Sequence, residues 1–372
     1  MIDASDLFEI NNTYFNTAYV GPTPKRSRDN VVQLVSRSMS PGPEDLEQWF
    51  EGHDRVRLKL AKLLQVPSEN VSLSSSVSET VSHVANGLSL TADDEVLLMD
   101  GDYPSMILPW LVAAKVRGFK VRLLDLSSFL DPQRLLRELN SHTKFVGCSH
   151  VMFNTGATLP IAELAQVCHL HSDALFLSDV SQSFGGLNLG HAVISSVDIL
   201  VGVTYKWLLG PYGSAFGYFS DHALARVART HASKLSSALT QSHQNMLNYT
   251  TDPMPGARRF DRGQVQSFLM CAGLEGALDV LLEVGLDNIQ AHNSSLVELF
   301  FEHLPDGFEV ASPHDLRSNI VCVKPRVRTS QQLKSQLAAS GFELSIREGM
   351  VRLAFHFFNT PKQVQRLLEV IG

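Results

Sequence analysis

Cysteine is scarce in this chain, and the few cysteines show no disulfide or zinc-finger spacing. Four occur among 372 residues: Cys148, Cys168, Cys271 and Cys322. Cys148 and Cys322 lie in strand-like apolar runs and the other two in helical ones, so we expect buried structural thiols. Unpatterned free thiols are typical of a reducing compartment, and the sequence therefore predicts a cytoplasmic protein.

One of these cysteines opens a short motif that resembles a metal-binding pair, Cys168-His169-Leu170-His171. A structural zinc site of this kind needs a second pair of ligands along the chain, and no second cysteine–histidine pair follows. The sequence therefore predicts no metal site.

Long uninterrupted apolar runs, basic clusters and a signal-like start are also lacking. The apolar stretch 97–116 contains Asp100, Asp102, two prolines and Lys115, so it cannot span a membrane. The formal net charge is -7 without a basic cluster, which argues against nucleic acid as a partner. The first six residues include two aspartates, unlike a secretory signal. What remains is a chain with 44% hydrophobic residues, enough for a large core and more than one lobe.

Helical and strand-like segments alternate up to about Phe219, which predicts an α/β fold with a large, doubly wound, mostly parallel sheet. A polar connection then leads into a smaller α+β region. We expect residues 21–250 to form the large domain, and residues 1–20 together with 251–372 the small domain. The predicted helices cover residues 44–64, 107–117, 131–139, 161–171 and 265–284, and the predicted late strands cover residues 320–323 and 350–354.

Two apolar runs end on groups of opposite charge, Asp179 and Lys206. Parallel strands bring their carboxyl ends to one edge of the sheet, where open α/β sheets bind ligands. A pyridoxal phosphate site needs this pair: a lysine for the Schiff base and a carboxylate that keeps the pyridine nitrogen protonated. A solvated surface lysine is the alternative interpretation, and three further segments favour the cofactor.

The three segments carry side chains suited to the same site. Serines after the strand at 71–74 lead into a helix start that suits a phosphate, although serine N-capping alone gives the same pattern. Tyr103 follows another strand and is placed to stack on a planar ring, or else to sit in a turn fixed by Pro104. Arg352 lies on a strand near the end of the chain and is suited to a substrate carboxylate, with a surface ion pair as the alternative.

Together these segments resemble the class V aminotransferase family of fold-type I pyridoxal phosphate enzymes, which includes cysteine desulfurases, kynureninase, isopenicillin N epimerase-like proteins and C–S lyases. The resemblance runs from residues 14–22 to Asn359-Thr360. Its most specific motif is Asp179-x-x-Gln182 followed by Tyr205-Lys206-Trp207-Leu208-x-Gly210-Pro211. It implies a fold-type I fold, pyridoxal 5'-phosphate as cofactor, and a homodimer with shared active sites.

The resemblance also implies residue roles. Lys206 corresponds to the internal aldimine lysine, Asp179 to the partner of the pyridinium, and Tyr103 to the stacking ring, and these three are the catalytic candidates. Asn16, Arg352 and, as second choice for the carboxylate, Arg347 are the substrate-binding candidates. The cofactor-binding candidates are Val77, Ser78, Tyr103, Asn154, Asp179, Gln182, Tyr205, Lys206, Gly263 and Gln264, the glycine–glutamine pair as a contact across the dimer.

Two departures from the desulfurase pattern shape the functional expectation. Desulfurases need a nucleophilic thiol in a loop shortly before the carboxylate-binding arginine, and residues 345–352 contain no cysteine. Gly263-Gln264 stands where desulfurases have Gly-Thr, as in kynureninase-like and epimerase-like branches. We therefore expect an enzyme that is not a typical cysteine desulfurase.

The leading expectation is an aminotransferase-like enzyme that acts on a small or modified amino acid through a Lys206 aldimine and a quinonoid intermediate. Racemisation of the isopenicillin N epimerase type and C–S lyase activity are the alternatives within the family. A binding or regulatory protein that keeps the fold without catalysis is the alternative of a different class. The presence of all the core chemical residues favours an enzyme.

Overall fold

The computed structural model describes residues 2–10, 13–233, 236–238, 247, 249–261, 267–312 and 314–372. Across these residues, no helix is long and apolar enough to cross a membrane. The predicted cytoplasmic location stays a prediction.

The strands are β1 (Thr13–Tyr14), β2 (Val71–Ser74), β3 (Glu95–Met99), β4 (Lys120–Leu124), β5 (Thr143–Ser149), β6 (Leu175–Asp179), β7 (Ile199–Val203), β8 (Ala215–Phe219), β9 (Phe308–Val310), β10 (Ile320–Pro325), β11 (Phe342–Glu343), β12 (Ser345–Arg347) and β13 (Met350–Ala354). The helices are α1 (Lys25–Ser38), α2 (Pro43–Leu64), α3 (Val77–Gly87), α4 (Pro104–Arg117), α5 (Leu126–Leu130), α6 (Pro132–Glu138), α7 (Ile161–His171), α8 (Gly190–Ser196), α9 (Asp221–Arg226), α10 (Phe268–Val284), α11 (Leu286–Glu302), α12 (Ser330–Ala339) and α13 (Pro361–Ile371). Short 3-10 turns occur at Ser68–Asn70, Gly256–Phe260 and His314–Leu316.

The large sheet has the strand order β2-β8-β7-β6-β5-β3-β4. Strands β4, β3, β5, β6 and β7 run parallel, and β8 runs antiparallel to both of its neighbours. Side chains of β3 alternate between two cores: Val96 and Leu98 pack with α3 and α4, whereas Leu97 and Met99 pack with α2, α7 and α10. A sheet covered on both faces explains why these strands are continuous apolar runs, and the predicted doubly wound, mostly parallel sheet is present.

The register of the parallel strands places their carboxyl ends side by side. Ser149, the last residue of β5, pairs with Asp179, the last residue of β6, and Asp179 pairs with Val201 in β7. Lys206 follows β7 by three residues. The carboxylate and the amine are therefore brought to one edge of the sheet, as the sequence predicts.

A second, antiparallel sheet has the order β12-β13-β10-β9. The N-terminal segment joins it: the Phe15 N–H donates to the Glu343 carbonyl (2.8 Å), and the Ala354 N–H donates to the Phe15 carbonyl (2.9 Å). Phe15, Phe300 and Phe355 lie in the core beneath this sheet. The division into residues 21–250 and residues 1–20 with 251–372 stays a prediction, and α10 packs against α1 and α2 of the first segment.

Helices α1 and α10 approach each other at a glycine. A Cβ atom on Gly276 would lie 2.8 Å from both the Cα and the backbone nitrogen of Ser27. Any larger residue at position 276 would therefore force the two helices apart. A second helical glycine, Gly52 in α2, has room for a methyl group, because its nearest neighbours would be 3.6 and 3.7 Å away.

We predict opposite effects for alanine at these two positions. Gly276→Ala should lower the free energy of unfolding by about 1–3 kcal/mol, because backbone cannot yield as a flexible side chain can. Gly52→Ala should raise it by about 0.5–1 kcal/mol through better helix propensity. Denaturant unfolding of the two variants checks this, and equal stability of the pair would contradict the close packing of α1 on α10.

Candidate functional site

A cavity of about 220 Å³ opens at the carboxyl edge of the large sheet. The structure brings seven of the predicted site residues to its lining: Val77, Ser78, Tyr103, Asp179, Gln182, Tyr205 and Lys206. They come from the segments that follow β2, β3, β6 and β7, because the carboxyl ends of these strands meet at this edge.

Lys206 and Asp179 are both buried at this cavity, and each alters the pKa of the other. Burial lowers the pKa of the Lys206 ammonium to about 8; the negative charge of Asp179 opposes the shift, and Arg352 and Arg347 add to it. Burial raises the pKa of the Asp179 carboxyl, while hydrogen bonds from Ser181 and the charge of Lys206 lower it. The site therefore holds an amine that is partly neutral near pH 8 beside a carboxylate.

The turn that carries Lys206 is fixed by the N-terminal segment. The Gly21 N–H donates to the Tyr205 carbonyl (2.7 Å), and a Cβ atom at Gly21 would lie 2.1 Å from the Lys206 carbonyl oxygen. Only glycine permits this approach. The Lys206 amine ends 5.5 Å from the centre of the Tyr103 ring and 5.9 Å from that of Tyr205.

Gln182 lines the cavity, but its amide also holds the surrounding structure. Its Nε2 donates to the Ala18 carbonyl (3.1 Å), and its Oε1 accepts from the Trp207 indole (3.2 Å). The carbonyl of Trp207 lies 3.0 Å from His356 Nε2. These hydrogen bonds connect the N-terminal segment at Ala18, the turn after Lys206 and the C-terminal region at His356.

The start of α3 forms one wall of the cavity. Ser76 caps the helix by accepting from the Glu79 N–H (3.2 Å), and Glu79 in turn accepts from the N–H and hydroxyl of Ser75 (2.8 and 2.6 Å). Val77 and Ser78 form the first turn, whose N–H groups the helix itself does not use. Such a helix start is suited to a phosphate.

Sequence analysis gave no role to Asp102, which clamps the ends of β3 and β5. Its Oδ2 accepts from the Ser149 N–H (2.8 Å), and its Oδ1 accepts from the Ser149 hydroxyl (2.5 Å) and the Tyr103 N–H (2.6 Å). Burial raises the pKa of this carboxyl to about 6. The sequence contains the same pattern that singled out Asp179, because Asp102 closely follows an apolar strand and Asp179 ends one.

Arg347 and Arg352 lie on the same face of the small sheet. Five residues apart in a single strand, they would have pointed to opposite faces. They belong to neighbouring strands joined by the tight turn Glu348-Gly349, both of whose residues have positive φ (45° and 76°). The register pairs Ser345 with Arg352 and Arg347 with Met350, so all four side chains share a face.

Arg352 is buried and adjoins the cavity through Phe153. Its Nη1 donates to the Phe153 carbonyl (2.8 Å) and its Nε to the Ser345 hydroxyl (3.2 Å). Burial, and then the charge of Arg347, lower its pKa to about 10. The Phe153 ring lines the cavity and makes an edge contact with Tyr103 at 5.5 Å between centroids.

Among the described residues, neither Asn154 nor Asn16 is part of the cavity lining. The lining includes Phe153 instead of Asn154, whose Oδ1 is buried without a hydrogen-bond partner. Asn16 is buried in the bridge to Ala354 and donates to Glu343 Oε1 (3.4 Å). Gly263 and Gln264 lie outside the described residues. The roles assigned to these four stay predictions.

The four cysteines are buried free thiols, as predicted. Burial raises the pKa of Cys168, Cys271 and Cys322 to about 12, and that of Cys148 well above its ordinary value. Cys322 lies closest to the predicted substrate residues in the sheet, because β10 pairs it with Arg352.

Known proteins resemble this chain in sequence and in fold over most of its length. The chain is 24% identical over 344 residues to a probable cysteine desulfurase of Methanothermobacter thermautotrophicus, which covers 85% of this chain and 82% of the relative. It is 24% identical over 373 residues to isopenicillin N epimerase of Streptomyces clavuligerus, with 96% and 93% covered. Two structures of the cystine C–S lyase C-DES superpose on it. One is a variant with glycine covalently linked to the PLP cofactor (TM-score 0.90, 21% identity, 99% of this chain and 98% of that one). The other contains the reaction product cysteine persulfide (TM-score 0.88, 22% identity, 96% and 97%).

One expectation from the sequence is wrong. The absence of cysteine in residues 345–352 and the Gly263-Gln264 pair led to the expectation of an enzyme that is not a typical cysteine desulfurase, yet several matching relatives carry that name, the Methanothermobacter protein among them. Such short motifs are a poor guide here, because the similarity extends over the chain while each motif is a few residues long.

The sequence model of the family Aminotransferase class-V matches residues 35–367. This match confirms the predicted family, and with the structural neighbours it confirms the fold type and pyridoxal 5'-phosphate as the cofactor. The chain belongs to the class-V aminotransferase family.

Proposed function

We propose that the cavity at Lys206 is the active site of an enzyme that cleaves the carbon–sulfur bond of a small, cysteine-type amino acid. The observation that carries this proposal is an amine and a carboxylate that line one small cavity, with two guanidinium groups near them. Asp179 lines the cavity with Lys206, and Arg352 and Arg347 are close enough to lower the pKa of that lysine.

The residues present fit pyridoxal 5'-phosphate. Ser76, Val77 and Ser78 at the start of α3 would hold its phosphate with backbone N–H groups and hydroxyls. Asp179 would pair with the protonated pyridine nitrogen, and this positive charge would favour the ionised form that burial disfavours. Tyr103 and Tyr205 flank the amine of Lys206 and would border the ring.

When bound, the cofactor supplies an electron sink for negative charge at the substrate Cα. The chain then has to orient the substrate and move protons. Arg352, with Arg347 beside it on the same face, would hold the substrate carboxylate. Lys206, whose pKa near 8 leaves a neutral fraction at physiological pH, would remove the proton from Cα and return one.

The named relatives support sulfur chemistry. Relatives named cysteine desulfurase and a structural neighbour named cystine C–S lyase share cleavage of a carbon–sulfur bond. Transamination, the leading expectation from the sequence, and epimerisation remain the competing reactions.

We also propose a homodimer. Helix α4 begins directly after Tyr103 at the cavity and exposes Leu108, Leu111, Val112 and Val116, which recur at i, i+3, i+4 and i+8 and so form one stripe. An exposed apolar stripe of this kind is typical of an interface. A second copy that covers it would also close the rim of the cavity, in agreement with the shared active sites that the family resemblance implies.

Product analysis tests the reaction. Cofactor-loaded protein should convert L-cystine and water into pyruvate, ammonia and cysteine persulfide, or, with a reducing thiol, L-cysteine into sulfide and alanine. Either result shows cleavage of the carbon–sulfur bond. Amino transfer to a 2-oxo acid, or inversion at Cα, without a sulfur product would overturn the proposal.

The carboxylate role is tested by the same assay with Arg352→Gln. Loss of a charge-assisted pair should raise KM by roughly tenfold or more, with the visible absorbance of the bound cofactor retained. Arg366→Gln, at the surface on α13, is the matched control and should leave KM unchanged. An unaltered KM in Arg352→Gln would remove that residue from the site.

Sedimentation of the full chain tests the homodimer. Val112→Asp should weaken the dimer by at least about tenfold, because a charge would be buried in an apolar contact. Val327→Asp is the control, since Val327 is 94% exposed and lies in the turn between β10 and α12, away from α4. A monomeric wild-type protein, or equal dimerisation of both variants, would contradict the assignment of α4 as the interface.

A further inference from the structure

A second group of chemically active side chains lies on the opposite edge of the large sheet. His169 in the last turn of α7, Asp198 directly before β7, and His222 in α9 each present one ligand atom, and these atoms lie within 4.8 Å of one another. Because Asp198 precedes β7 and Lys206 follows it, the cluster lies at the amino edge of the sheet, away from the cavity.

Asp198 fixes the cluster. Its buried carboxylate lies 2.7 Å from His169 Nε2 through Oδ2 and 2.9 Å from His222 Nδ1 through Oδ1. The Phe176 N–H donates to Oδ2 (2.8 Å), so the carboxylate is held by the neighbouring strand β6. Such an outer hydrogen bond is what orients a metal ligand in known sites.

The two histidines are open to solvent, so an ion can enter. Their side chains are 35% and 50% exposed, and their rings stand nearly perpendicular, at 81°, with nitrogen atoms directed at the same carboxylate. Ligand atoms around tetrahedral zinc lie about 3.3 Å apart. Binding therefore requires the widest separation to close by up to about 1.5 Å and the two nitrogen–oxygen contacts of 2.7 and 2.9 Å to open by about 0.5 Å, which rotation of the exposed imidazoles supplies.

We propose that His169, Asp198 and His222 form a Zn²⁺ site with water in the fourth position. Two imidazole nitrogens and one carboxylate oxygen are a zinc ligand set. The sequence predicted no metal because the motif at 168–171 lacks a second pair along the chain; the fold instead supplies the partners from the start of β7 and from α9. Bound zinc would join α7, β7 and α9 and stabilise the native state, since it binds that state preferentially.

Zinc titration of the untagged, cofactor-loaded full chain tests the site, with a chromophoric chelator as competitor. His169→Gln and His222→Gln are the test variants. His171→Gln is the matched control, because His171 is exposed on the same helix outside the cluster. Visible absorbance of the bound cofactor reports that each variant is folded.

The wild-type protein and His171→Gln should bind one Zn²⁺ per chain with the same affinity, and zinc should raise their Tm. Both test variants should bind at least about tenfold more weakly, because loss of a ligand should cost no less than loss of a residue that only orients a ligand, which typically costs about 10–100-fold. X-ray absorption of the zinc-loaded wild type should show nitrogen and oxygen ligands with two imidazoles. Absence of zinc binding, equal affinity in His169→Gln, or sulfur ligation would overturn the proposal.

Discussion

An amine and a carboxylate buried together at the carboxyl edge of a parallel sheet are the constraint on which the site depends. Burial lowers the pKa of the Lys206 ammonium to about 8, the charges of Arg352 and Arg347 add to that shift, and the charge of Asp179 opposes it. Burial likewise raises the pKa of the Asp179 carboxyl, and the hydrogen bonds from Ser181 and the charge of Lys206 oppose that shift. The result is a lysine whose neutral form is available at moderate pH and a carboxylate ready for a cationic partner.

Holding these charges in place requires contacts from distant parts of the chain. Gly21 lets the N-terminal segment lie against the Lys206 turn, while Trp207 connects to Gln182 and His356. Asp102 joins the ends of β3 and β5 on the other side. The large sheet thus supplies the reactive groups, and the N- and C-terminal segments fix their positions.

Features set by local pattern could be predicted from the sequence, and features set by long-range pairing could not. Helix α7 and strand β13 have the predicted bounds, because apolar periodicity and strand ends are local properties. The shared face of Arg347 and Arg352 depends on a hairpin turn at Glu348-Gly349 that the spacing did not show. Asp198 meets His169 and His222 only in the folded chain. The expectation of an enzyme other than a typical cysteine desulfurase failed because it was based on two short motifs, while the similarity to named desulfurases extends over most of the chain.

The most direct test of the account is the pH dependence of cofactor capture by Lys206. With cofactor-free protein, pyridoxal 5'-phosphate and borohydride reduction, peptide mass analysis should find the adduct on Lys206, at a rate that rises with pH through about 8. Arg347→Gln removes a positive charge that disfavours the ammonium, so its midpoint should move to higher pH. Asp179→Asn removes a negative charge that favours it, so its midpoint should move to lower pH. An adduct on another lysine, or a midpoint at the ordinary lysine pKa that neither substitution moves, would contradict the account.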